Sequence, residues 1–166
     1  MREGAVFALL AAAALGSGVV AGIFFAFSSF VMSALGRLPP AQGVAAMQSI
    51  NETVINPGFL LVFFGTGLAC LALAGGAYFW WGETSAKLMA AGGTVYLVGC
   101  LGVTVACNVP LNNALAALQA GSPEAAALWA RYLREWTMWN TVRTVAPLLS
   151  AALFAAALWH ARSPRL

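Results

Sequence analysis

This chain has no aspartate, one histidine and one lysine, and charged residues fill only 8% of its 166 positions. Eight basic side chains against five glutamates, net +3, are too sparse to neutralise a phosphate backbone, so nucleic acid is not the expected partner. The lone His160 lies at the far end of the last apolar run, beside Arg162 and Arg165, which argues against a His-ligated metal or a bis-His haem within one subunit. Cys70, Cys100 and Cys107 sit inside apolar runs without metal-ligand spacing and read as small core residues. No nucleophile with a partnered base can be assembled.

What the chain has is apolar surface. It is 61% hydrophobic with a mean hydropathy of +0.84, far outside the soluble range and inside the integral-membrane class. The apolar stretch after Arg2 continues to Leu35, too long for a signal-peptide core, which predicts an uncleaved first membrane helix. Segments 5–35, 58–81, 86–107 and 137–160 each suffice to cross about 30 Å of hydrocarbon. Lipid cannot satisfy exposed backbone groups and period-2 alternation is absent, so each segment reads as a helix.

The predicted fold is all-α: a single domain, 1–166, forming a four-transmembrane-helix bundle. Gly18 with Gly22, and the doublets Gly75–Gly76 and Gly92–Gly93, read as packing seams. The "GETSAK" stretch is a tight turn, whereas Arg37 to Asn56 and Pro110 to Trp136 are long enough for short amphipathic helices lying on one membrane face. In the second, Ser122 suits an N-cap, Pro123 the first helical position and Glu124 the positive end of the helix dipole.

With four spans, both long connections share one face, opposite the termini and the tight turn. That face collects Gln48, Asn51, Asn56, Asn108, Asn112, Asn113, Trp136, Trp139, Asn140 and Arg143. Arg2, Lys87, Arg162 and Arg165 against Arg37, Arg131 and Arg134 favour cytoplasmic termini in a bacterial-type inner or plasma membrane.

Trp136, Trp139, Asn140 and Arg143 follow i, i+3, i+4, i+7 spacing, a single helical stripe. Asn108 and Asn112 also share a face, with Pro110 between them to loosen the helix end. An arginine inside a membrane helix costs about 2.5 to 3.5 kcal/mol on insertion scales, so Arg143 calls for a partner or a wet cavity. Interfacial-belt tryptophans, capping asparagines and a snorkelling arginine would account for each residue singly. Their concentration on one face favours a polar pocket.

"MQSIN" at 47–51, "NPGF" at 56–59, "NVPLNNAL" at 108–115 and the run from Trp136 to Thr144 resemble the anthrone oxygenase-like family of small four-helix membrane proteins, over roughly residues 20–160. The resemblance implies oxidation of an anthrone-type aromatic or polyketide substrate with molecular oxygen, the activity of a few fungal relatives, without a recognised flavin or haem. It carries the family pattern onto Gln48, Asn51, Asn56, Asn108, Asn112, Trp136, Asn140 and Arg143. Arg143, Asn140, Asn108 and Asn112 are then the expected catalytic donors, with Trp136, Trp139, Gln48, Asn51 and Asn56 binding substrate and no metal site. No cofactor beyond oxygen as co-substrate is expected. The implied partners are a small apolar aromatic ligand and membrane lipid, with homo-oligomer formation left open.

An enolate formed from such a substrate can react with oxygen directly, so the chain need only bind, stabilise an oxyanion and exclude water. The missing item is a strong base: Glu52, Glu135 or Tyr132 would serve only if folding turns one of them inward. A non-enzymatic ligand-binding or transport bundle, or an accessory subunit of a membrane complex, is the alternative. Helices one to three lack the intramembrane acid that a proton-coupled transporter normally uses.

Overall fold

The computed structural model describes residues 2–162, all of whose regular structure is helical. Arg165, weighed above for orientation, lies outside them. Four helices are long and apolar enough to cross a membrane: α1 (Gly4–Leu35), α3 (Pro57–Trp80), α4 (Thr84–Ala116) and α5 (Pro123–Arg162). A shorter helix, α2 (Pro40–Thr53), follows α1. Each span packs against its sequence neighbour, and α5 closes the ring against α1. The chain is an integral membrane bundle.

The spans overshoot the bilayer at one end. At 1.5 Å per residue the 40 residues of α5 extend about 60 Å, twice the hydrocarbon thickness. Its outer surface changes accordingly: Glu124, Arg131 and Arg134 are exposed on the first turns, then Met138, Val142, Val145 and Leu148. The waterline therefore falls near Thr137. Above it, the ends of α1 and α4, the start of α5 and the whole of α2 form a hood around Met32, Val44, Met47, Leu115, Trp129 and Tyr132. α3 starts at Pro57, capped by Asn56, and takes no part in that core.

The second connection differs from expectation. The helix that Ser122 and Pro123 were expected to start is present, and the Ser122 hydroxyl accepts from the Ala125 N–H at 3.1 Å. It runs without break into the last span, while α4 continues through Pro110 to Ala116, leaving only residues 117–122 as a turn. Two π-helical stretches, Leu97–Gly102 and Thr104–Asn108, precede Pro110, so the missing N–H falls where a fresh α-helical segment begins.

Of the three expected glycine seams, one is in place. A side chain at Gly18, Gly22 or Gly75 would meet nothing within 4 Å, and one at Gly76 only the edge of Trp80. Close approach occurs at the expected doublet, Gly93 against the Cys70 carbonyl and Gly92 against Phe154, and also at Gly16 against Thr66. The three cysteines are free thiols, two of them buried.

This topology makes a direct expectation for labelling. Cysteines introduced at 40–45 and at 120–125 should react with an impermeant maleimide from the same side of the membrane. Reaction from opposite sides would overturn the arrangement.

Candidate functional site

The polar residues of the hood end form two layers separated by a tryptophan. In the deeper layer Arg143 is only 5% exposed although its helix faces lipid on the other side. One guanidinium nitrogen donates to Asn140 Oδ1 at 2.9 Å and another to the Thr104 hydroxyl at 3.4 Å. The guanidinium lies over the Phe24 ring at 4.3 Å and the Trp136 ring at 5.0 Å. Desolvated contacts of this kind contribute about 2 kcal/mol each, which offsets part of the cost of burying the charge. Its Nε–H has no partner, and neither does the buried Oδ1 of Asn108.

Asn140 fastens this layer to α1. Its amide nitrogen donates to the Phe24 carbonyl at 2.7 Å and to the Ser28 hydroxyl at 2.8 Å, leaving its oxygen for Arg143. Asn108 similarly ties α4 to α5 by donating to the Trp136 carbonyl at 3.2 Å. All the partners of Arg143 are neutral. The π-helical turn Phe27–Val31 in α1 places Ser28 at this layer, as the turn Thr104–Asn108 places Thr104 and Asn108.

The outer layer is a ladder of rings on α5. Trp129, Tyr132 and Trp136 stack with centroids 5.6 and 5.9 Å apart and planes within 20° of parallel. Asn112 of α4 binds the edge of that ladder: its Oδ1 accepts from the Tyr132 hydroxyl at 2.7 Å and from the Trp136 indole N–H at 2.8 Å. Both hydrogen bonds go to one oxygen, which fixes which way the amide points. Its NH2 group takes no part in those two bonds, and Asn112 is one of the residues that line the cleft.

That cleft, of about 430 Å³, opens between α2 and the end of α4, lined by Gln48, Asn51, Glu52, Ile55, Val109 and Asn112 among others. Its size suits a small ligand. Gln48 holds its wall together by donating to the Leu115 and Leu118 carbonyls, both at 2.9 Å, which satisfies the otherwise orphaned end of α4. Asn51 donates to the Tyr132 hydroxyl at 3.4 Å. Glu52 is the one ionisable side chain among the lining residues.

The expected residues therefore divide. Gln48, Asn51 and Asn112 meet at the cleft; Asn108, Asn140 and Arg143 lie beneath it, with Trp136 between Asn112 and Arg143. Arg143 does not line the cleft: the side chains that surround it come from three helices, and the Trp136 ring covers it. Asn56 stands apart, exposed at the α3 N-terminus, where it accepts from the Phe59 N–H and donates to the Thr53 carbonyl. Its role is capping. Trp139 is half-buried and outside the ring ladder and the cleft. Of the three candidate bases, Glu135 is tied to Arg131 at 2.9 Å on the hood surface and Tyr132 is buried in the ladder. Only Glu52 reaches the cleft.

Phe24 and Trp129 had not been singled out. Trp129 could have been found, since it continues the Tyr132–Trp136 stripe once α5 is read as one helix; Phe24 carries no such signal. Among the described residues, no three His, Cys, Asp or Glu side chains cluster closely enough to hold a metal ion.

A sequence profile of a family described as anthrone oxygenase matches residues 59–153, from the first turn of α3 to the last third of α5. The matched part includes Asn108, Asn112, Trp136, Asn140 and Arg143, and leaves out α2. No curated protein and no solved structure matches the chain.

Proposed function

Because the chain belongs to the anthrone oxygenase family, we propose that it is a membrane oxygenase that binds a small planar anthrone-type substrate in the α2–α4 cleft and oxidises it with molecular oxygen. The observation that carries this reading is the orientation of Asn112. An amide whose oxygen is held by both Tyr132 and Trp136 presents its N–H bonds to the cleft without reorganising, as an oxyanion donor must.

The chemistry needs few groups. Glu52 takes a proton from the substrate's ring methylene, whose electron pair delocalises onto the ketone oxygen facing Asn112. The resulting enolate carbon adds oxygen to give a hydroperoxide after protonation. Loss of water, the departing O–O oxygen leaving with a second methylene hydrogen, yields the quinone. One oxygen molecule is consumed and one water formed, with no other oxidant. Ile55, Val109 and Leu118 give the cleft an apolar wall against which the flat rings can lie.

Purified protein in detergent or nanodiscs should accelerate oxygen uptake by an anthrone, with one quinone formed for each oxygen consumed. Glu52→Gln should lower kcat at least tenfold with little change in KM, because the carboxylate acts on the proton and not on the rings. Replacing the methylene hydrogens with deuterium should slow the wild-type enzyme. A protein that binds the anthrone without raising the oxidation rate above buffer is a binding module, and the proposal fails.

A further inference from the structure

Among the described residues, Arg143 is a buried cation with no acid beside it. The guanidinium has only neutral partners, its Nε–H is unsatisfied, and Glu135 is engaged by Arg131 on the hood surface. Its charge is therefore not cancelled locally. In one direction it meets the Phe24 ring and in another the Trp136 ring, whose N–H donates to Asn112 Oδ1 at 2.8 Å.

The geometry points to a relay: Arg143 acts on the cleft from behind, through Trp136 and Asn112, and makes the cleft select the anionic, enolate or phenolate form of a planar hydroxyaromatic ligand. A cation over an indole face draws electron density from the ring and strengthens its N–H as a donor. That donor polarises the amide it binds, so the Asn112 N–H bonds facing the cleft become better donors in turn. Charge is thereby felt at the cleft without Arg143 touching the ligand, which makes it a positioning residue. Trp136 both transmits the field and keeps water off the guanidinium; in water the same charge would be screened.

Glu52 fits this arrangement. When it accepts a proton from the ligand, the cleft exchanges one negative charge for another and its total charge is unchanged. The new anion lies on the oxygen facing Asn112, the position that the relay favours. In a medium of effective dielectric about 20, a unit charge about 12 Å away, with Trp136 and Asn112 between, shifts an ionisation by about tenfold.

The inference rests on the proposed substrate class but is tested without oxygen or turnover. The probe is a monohydroxyanthraquinone, whose phenolate differs in colour from its phenol. Titrated anaerobically into the full-length protein at a pH where the free dye is neutral, it should bind with the phenolate spectrum. Arg143→Met should bind the dye within a few-fold of wild type but lose most of the phenolate colour, about tenfold in ionised fraction, whereas Arg143→Lys should retain most of it. Trp136→Phe keeps a ring and removes the N–H, and should lose the colour as Arg143→Met does, with the double variant no worse than either alone.

If wild type binds the dye in its neutral colour, or does not bind it, the relay is wrong. If Trp136→Phe ionises the dye as wild type does, the path through the indole is wrong. Should Arg143→Met fail to fold, the comparison of Trp136→Phe with wild type still decides. Absence of oxygenase turnover with the phenolate colour intact would reject the oxidation chemistry and leave the relay standing.

Discussion

Asn112→Asp is expected to lower kcat about a hundredfold or more, the usual loss when a preorganised oxyanion donor is removed. The substitution keeps an oxygen for the Tyr132 hydroxyl and the Trp136 N–H, bonds now at 2.7 and 2.8 Å, so the ladder and the hood should remain assembled. What changes is the face towards the cleft, where two N–H donors become an acceptor carrying negative charge. That face would repel the enolate oxygen it is proposed to stabilise. Asn112→Leu should lose as much rate and also unfold more easily, because two donors lose their shared acceptor, at about 1 to 3 kcal/mol for each group left unpaired. Steady-state oxygen uptake, set beside a thermal melt of each variant, separates the two effects. Wild-type kcat in Asn112→Asp would remove Asn112 from the chemistry.

Gly93→Val should be the most damaging single change to the fold. A Cβ built at Gly93 lies 2.5 Å from the Cys70 carbonyl oxygen and 2.9 Å from the Ala74 Cβ. The first of these is backbone in the middle of α3, which cannot swing aside as a long side chain could. Relief requires α3 and α4 to separate, and in lipid their association depends on that close approach. Overpacking costs typically 1 to 3 kcal/mol, and a clash with backbone belongs at or beyond the upper end. Gly18→Val, where a side chain meets open space, is the control and should cost little beyond its weaker helix propensity. The measurement is resistance to denaturation in detergent. Equal loss at the two positions would mean that the seam is misplaced.

The contrast between those two glycines marks where sequence stops deciding. Hydropathy along 166 residues determined the membrane class, four spans and, by parity, the common face of both connections. These are properties of one segment at a time. The N-cap at Ser122 was equally legible, since a hydroxyl before Pro123 and Glu124 acts on its own helix. The same local reasoning brought Gln48, Asn51, Asn108, Asn112, Asn140 and Arg143 to one end of the bundle, and the spacing of Trp136, Asn140 and Arg143 to one stripe. Tertiary structure decided the rest: that α5 runs unbroken from the hood into the bilayer, that Gly93 and not Gly18 faces a neighbour, and that Trp136 stands between Arg143 and the cleft. In lipid the inward and outward faces of a helix are equally apolar, so the contrast that reveals the buried face of a soluble helix is absent. Which way Asn112 points depends on Tyr132 and Trp136 arriving together from another helix, and no pattern in the sequence around Asn112 carries that information.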